Sequence, residues 1–306
     1  MTELGLGCVQ LGLPYGNAAD SPLMPEQEAL SILNLAAGSG ITFFDTAAAY
    51  GESEKRIGLS KIVQKFSNVQ ISTKIPSVHP DLWRSRTAYF SFLTETIRNS
   101  GALLGIPTLD LLQFHQHDIE FLESPIVQSC MRRLMAEGLC SAIGVSVYSP
   151  READLCSELD HISTIQVPVN LLDCRFFTPE LSKKYSLKRK VIVGRSILLQ
   201  GVLTDDAPLP GVRKASLLAD LRTLVHHALQ GCPVFDAAIS FAKWGQPDQL
   251  SIALIGADSL KSLEMNIKAW QISDQSKGSN SSYYDLTEAI DFAQKHELLN
   301  PSTWNQ

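Results

Sequence analysis

The chain has 306 residues, of which 44% are hydrophobic and 19% charged, and a formal net charge of −6. This composition is that of a soluble globular protein able to bury a large core. Its acidic balance argues against a nucleic-acid partner held by counterion release, and no stretch approaches the roughly 18 apolar residues of a membrane span.

The only basic run, Lys188-Arg189-Lys190, leads into apolar Val191-Ile-Val and reads as a solvated strand entrance. The six cysteines (Cys8, Cys130, Cys140, Cys156, Cys174 and Cys232) show no Cys-x-x-Cys and no regular spacing. They are expected to be reduced core thiols, and with no basic leader before Leu4 a cytoplasmic location is expected.

In chain order, residues 4–10 read as a short strand whose glycines allow close approach. Gly5, Gly7 and Gly12 resemble a dinucleotide glycine loop only superficially, because the third glycine is misplaced; a hairpin or close-packed strand is expected instead. Residues 25–39 have helical periodicity, with acidic residues in the first turn and Gly38 and Gly40 at the end. Ile41 to Phe44 reads as a buried parallel strand that stops at Asp45, and a helix opens at Ser53, so Asp45 and Tyr50 fall in a strand-to-helix loop.

The alternation continues with strands at 69–74, 108–115, 140–146, 164–170, 191–196 and 251–256. Helices are expected at 89–104, 125–137, from Ser149, at 179–185, across about 214–245, and at 259–270. Eight strands separated by helices, without a compositional break, give an α/β protein with a single (β/α)8, or TIM, barrel spanning 1–306, in preference to two doubly wound domains. The Ser/Gly-rich stretch 275–282 reads as a mobile loop, and 285–298 as an extra C-terminal helix that covers a barrel end.

In a barrel the C-terminal ends of the strands share one mouth. That brings together Asp45, Lys74 and His115, each at a strand end, and Tyr50 in the loop after Asp45. A tyrosine, with a free pKa of about 10, is a weak acid at neutral pH, and a neighbouring ammonium lowers that value. Lys74 supplies the ammonium, Asp45 compensates its buried charge, and His115 orients a carbonyl oxygen. One acid with electrostatic support, and neither a nucleophile nor a metal cluster, suits carbonyl reduction in which a cofactor provides hydride. His115-Gln-His117-Asp118 offers two histidines but no third ligand, so no metal is expected.

The segment Asp45-Thr-Ala-Ala-Ala-Tyr50-Gly-Glu-Ser-Glu54, with Ser72-Thr-Lys74, Asp110-Leu-Leu-Gln-Phe-His115, Gly144-Val-Ser146 and Gln166-Val-Pro-Val-Asn170, resembles the aldo-keto reductase family from about Leu4 to Trp270. The resemblance implies a (β/α)8 barrel and NADP- or NAD-dependent reduction of a small aldehyde or ketone, or the reverse oxidation. It implies that Tyr50 is the general acid, that Lys74 and Asp45 support it, and that His115 orients the carbonyl. It also implies that Ser146 and Gln166 hold the nicotinamide carboxamide. Ser196 and Gly201, and the turn and helix containing Gly256, Ser262 and Asn266, would lie around the pyrophosphate and adenosine.

The chain departs from the family pattern in three places. Val147 replaces a frequent asparagine. Arg195 stands where an aromatic ring commonly stacks on nicotinamide, and is expected to contact the nicotinamide face or an anionic substrate group. The positions of the basic 2′-phosphate clamp correspond to Gly256, Ala257 and Ser262, with only Lys261 nearby, while helix amides around Ser259 remain able to hold a phosphate. The cofactor is therefore left as NAD(P). The lack of a long hydrophobic segment after Trp270 suits a polar or sugar-like carbonyl substrate. Two other classes fit the same site: a cofactor-binding regulatory scaffold, and a non-redox lyase using the same four residues.

Overall fold

The computed structural model describes residues 2–16, 22–115, 117–245, 249–273 and 284–305. Its eight parallel strands close into a barrel in chain order: β1 (Glu3–Gly7), β2 (Phe43–Asp45), β3 (Gln70–Ile75), β4 (Leu109–Phe114), β5 (Cys140–Ser146), β6 (Thr164–Pro168), β7 (Val191–Arg195) and β8 (Leu250–Gly256). Closure is made by β1 against β8, with Gly5 beside Leu254 and Gly7 beside Gly256.

The apolar runs become strands because both faces are covered. Alternate side chains point to opposite sides, so Ile71, Leu112, Ile143, Ile165 and Ile192 join the large core shared with the helices. Phe43, Leu111, Val193, Ile252 and Leu254 form a separate cluster that fills the lumen. A Cβ on Gly5 would stand 2.8 Å from Leu254 and 2.9 Å from Ile252. The glycine-rich first strand is thus a close-packed barrel strand, as one of the two sequence readings held.

Several boundaries differ from expectation. β1 stops at Gly7, and Val9–Leu11 is a 3-10 turn. The 214–245 region is two helices, Ala215–Ala228 and Val234–Trp244, because Gly231 takes a positive φ of 92° and Pro233 cannot continue a helix. Short helices Ile62–Lys65, Pro80–Trp83 and Ile119–Glu123 escaped the sequence reading. Each is five residues or fewer, too short to show a period.

The C-terminal helix is Thr287–Lys295. Ala289 and Ala293 pack with Leu218, Leu221, Val225 and Trp304 in a second apolar cluster. The loop expected at 275–282 lies outside the described residues. Cys8, Cys130, Cys140 and Cys156 are buried free thiols, but Cys174 is exposed and Cys232 half-buried, so the expectation of core thiols is corrected for those two. Among the described residues no helix is long and apolar enough to cross a membrane.

Candidate active site

Strand register sets the site's polar floor. Asp45 lies beside Ser72 across β2 and β3, Lys74 beside Gln113 across β3 and β4, and Gln113 beside Gly144 across β4 and β5. Lys74 Nζ donates to Asp45 Oδ2 at 2.5 Å and to the Thr46 carbonyl at 2.8 Å. Asp45 Oδ1 accepts from Gln113 Nε2 at 3.1 Å and from Gln166 Nε2 at 3.0 Å. Gln113 also donates to Ser72 Oγ at 2.6 Å. The carboxylate therefore has a donor on each oxygen, as a buried charge requires.

Tyr50 stands above this floor. Lys74 Nζ is 5.3 Å from its ring centroid, and the His115 ring is 5.9 Å away, tilted by 47°. Burial, then the Asp45 charge, raises the Tyr50 pKa above that of an ordinary tyrosine. This corrects the expectation that Lys74 lowers it. The ammonium is held against Asp45, so Tyr50 meets a nearly neutral pair and keeps its proton across the neutral range. Burial pulls Lys74 itself below the ordinary lysine value, and Asp45 opposes that shift.

The loop carrying Tyr50 is held by close backbone packing. A Cβ on Gly12 would lie 1.9 Å from the Tyr50 carbonyl oxygen, and Gly51, at φ 54°, would place one 2.4 Å from the Gly12 oxygen. Ser53 Oγ donates to the Cys8 carbonyl at 2.9 Å and accepts from Thr46 Oγ1 at 2.8 Å. Glu54 accepts from Thr73 Oγ1 at 2.5 Å, and Arg56 donates to the Leu11 carbonyl at 2.6 Å. Gly12→Ala is expected to displace Tyr50, destabilising the fold by about 1–3 kcal/mol through overpacking and lowering turnover more than nucleotide affinity. Denaturant unfolding and separate nucleotide titration check both halves.

His115 follows β4, where its backbone N–H meets the Ile75 carbonyl at 3.0 Å. Burial, then the charges of Lys74 and Arg195, pushes its pKa from 6.5 down to about 3. The imidazole is neutral near pH 7 and can present an N–H to an oxygen. Turnover is expected to show no histidine inflection from about pH 5 to 8. An inflection near 6.5 that disappears in His115→Gln would sink this assignment.

The floor opens into a cavity of about 520 Å³. Asp45, Tyr50, His115, Ser146, Gln166 and Arg195 line it from the strand ends. Ser196, Gly201, Gly256, Ser262 and Asn266 line it from the β7 and β8 loops. Of the four catalytic candidates only Lys74 is absent from the lining, being fully buried beneath Tyr50, and of the clamp positions Ala257, Ser259 and Lys261 are absent as well.

The β7 loop is strained: Ser196, Leu199 and Gln200 have φ of 62°, 44° and 51°, followed by Gly201 at 88°. Such non-glycine conformations cost about 1 kcal/mol or more each and persist only where the surroundings fix them. Arg222 does so, donating to the carbonyls of Gly201 at 2.7 Å, Val202 at 3.1 Å and Ala207 at 2.8 Å. Gln200 also donates to Tyr15 Oη at 2.9 Å, joining the β1 and β7 loops.

Arg195 lies with its guanidinium carbon 4.2 Å from the Tyr148 ring centroid, and Nη2 donates to the Val147 carbonyl at 3.2 Å. His117 also packs on Tyr148, at 4.8 Å between ring centroids, and lies 3.0 Å from Glu152, but it does not line the cavity. Among the described residues no three His, Cys, Asp or Glu side chains group as a metal site.

Residues 3–280 match the Aldo/keto reductase family. The chain belongs to that family. As an aldo-keto reductase it is an oxidoreductase of carbonyls and alcohols. It is 24% identical to probable aldo-keto reductase 1 of Glycine max over 95% of this chain and 86% of that one. It is 26% identical to the L-galactose dehydrogenase of Arabidopsis thaliana over 88% and 84%. Among solved structures, an aldo-keto reductase from Bacillus halodurans in its holo form superposes with a TM-score of 0.68 at 21% identity, covering 96% of this chain and 91% of that one. That likeness concerns the fold.

Proposed function

We propose that this aldo-keto reductase transfers hydride between a nicotinamide dinucleotide and a small, polar, sugar-like carbonyl or the corresponding alcohol. The observation that carries the reading is the placement of Tyr50: a protonated phenol lining the same cavity as a neutral imidazole, with a buried Lys74–Asp45 pair behind it. The likeness to a sugar dehydrogenase of Arabidopsis thaliana supports the substrate class.

The residues present suit the cofactor. Gly7 and Gly256 stand side by side across the β1–β8 seam and bare backbone to the cavity, so a flat or charged group can approach closely. Ser146 and Gln166 would hold the carboxamide, and Arg195 on Tyr148 would border the nicotinamide face. The β7 loop and the turn from Gly256 to the helix Leu260–Ile272 would hold the pyrophosphate and adenosine. When bound, the cofactor supplies or accepts hydride.

The chain's own groups do the rest. His115 orients the carbonyl oxygen through its N–H, and Tyr50 gives that oxygen its proton. The Lys74 ammonium, 5.3 Å from the Tyr50 ring, offsets part of the charge that remains on Tyr50 as the proton leaves, and Asp45 keeps that ammonium charged. In the oxidative direction Tyr50 receives the proton. The four buried thiols suit a reducing, cytoplasmic setting.

The test is to follow nucleotide absorbance with a panel of aldoses and small aldehydes, in both directions. Nucleotide change in step with product supports the reading. Product without net nucleotide change would instead indicate a lyase, and nucleotide binding without turnover of any carbonyl would indicate a scaffold.

A further inference from the structure

We propose that this chain selects NAD(H) over NADP(H), with Asp258 as the discriminating residue. This rests on reading the cavity as a nicotinamide dinucleotide site. Arg195 is the only lysine or arginine among the described residues lining the cavity, and it belongs to the Tyr148 wall beside the catalytic groups. The lining from the β7 and β8 loops instead brings in Asp205, Asp206 and Asp258. Lys261, exposed on the first turn of the helix Leu260–Ile272, is absent from the lining.

Most neutral donors that a 2′-phosphate would use at this end are already engaged. The amides of Asp258 and Ser259 donate to Ser262 Oγ and the Ser262 amide to Ser259 Oγ, each at 3.1 Å, while Ser262 Oγ donates to the Ser259 carbonyl at 2.9 Å and Ser259 Oγ to Asp258 Oδ1. The Leu260 amide meets Glu28 Oε1 at 3.4 Å, so a carboxylate from the helix Glu26–Gly38 already faces the helix N-terminus. Asn266 Nδ2 is held by the Gly256 carbonyl at 3.0 Å. This arrangement weakens the phosphate-binding option that the sequence left open at Ser259.

The three carboxylates from the loops are not equivalent. Asp205 uses its two oxygens on the amides of Val234 and Phe235, at 2.8 and 3.2 Å, at the start of the helix Val234–Trp244. Asp206 is exposed on the loop after β7. Asp258 sits in the turn directly after β8, the segment assigned to the adenosine end, and is also exposed. A carboxylate there accepts a hydrogen bond from a ribose 2′-hydroxyl and repels a 2′-phosphate, which carries close to two negative charges. Asp258→Asn keeps the Oδ1 that accepts from Ser259 Oγ at 3.3 Å, so the turn survives while the charge is lost.

The experiment is equilibrium binding of NADH and NADPH to the full-length protein without substrate, read by nucleotide fluorescence, for the natural chain, Asp258→Asn and Asp258→Arg. NADH is expected to bind at least about tenfold more tightly than NADPH, or about 1.4 kcal/mol. The gap should narrow in Asp258→Asn and close or reverse in Asp258→Arg. NADPH bound as tightly as NADH by the natural chain would overturn the selection and leave the reductase reading standing. A preference that both variants retain unchanged would overturn the role of Asp258. If neither nucleotide binds at about a millimolar, the dinucleotide reading fails and this inference with it.

Discussion

Replacing Tyr50 by phenylalanine is expected to lower kcat/KM for carbonyl reduction by about 10²–10⁴-fold, the usual weight of a positioned general acid, with nucleotide affinity essentially unchanged. The substitution removes one oxygen and leaves the ring that packs 5.9 Å from His115 and 5.3 Å from Lys74 Nζ. The loop itself is held through its backbone against Gly12 and through Ser53, neither of which involves the phenol. A loss in kcat with unchanged nucleotide binding therefore isolates the proton. Because Tyr50 is buried and close to Asp45, its proton is retained well above neutral pH, so reduction by the natural chain should not decline as pH rises from about 7 to 9. Activity within a few-fold of the natural chain in Tyr50→Phe would show that His115 or water supplies the proton.

The division between what the sequence discloses and what it conceals follows from the range of the interactions. The barrel is legible because strands covered on both faces are written as short apolar runs, and helices as amphipathic periods between them. Asp45, Lys74 and His115 are legible because each polar residue interrupts or ends such a run.

Gln113 and Ser72 escape notice, although both lie within the quoted strand motifs. Their role depends on Gln113 reaching Asp45, 68 residues away in the chain, across the lumen. A polar side chain at a lumen-facing strand position is the signal that was available. Tyr148 is equally hidden, since nothing local says that Arg195 will lie on its ring, and so is Arg222, which fixes the β7 loop from a helix.

The charge on Lys74 is a different lesson. Adding its effect on Tyr50 as an isolated pair leaves out the burial of the phenol and, after it, Asp45, which lies 2.5 Å from the same ammonium; together they reverse the outcome. The break at Gly231 and Pro233, by contrast, was present in the sequence as a helix-stopping pair and required only local reading.

Lys74→Met is expected to have the largest effect on stability, destabilising the fold by about 3–5 kcal/mol, because removing one member of a buried ion pair strands the other. The side chains of Lys74 and Asp45 are 0% and 7% exposed, so water cannot take over the ammonium's place. Gln113 and Gln166 still donate to Asp45 Oδ1, but two amides do not neutralise a carboxylate. In the variant Asp45 would instead gain from holding a proton, and its folded-state pKa would rise above the unfolded value of about 3.9. A raised folded pKa contributes stability that is present at low pH and lost as pH rises, so the deficit relative to the natural chain should shrink on acidification toward pH 4. Combining Lys74→Met with Asp45→Asn removes the stranded charge and should recover much of the loss, since neutral replacements of buried pairs are often tolerated. The double variant should remain catalytically impaired, because nothing then balances the charge on Tyr50 as its proton departs. Chemical denaturation of the single and double variants at two pH values separates these outcomes. A single variant as stable as the natural chain would mean that the pair is wetter than its geometry implies. A double variant no more stable than the single would mean that the loss comes from packing around the lysine stem rather than from the uncompensated carboxylate.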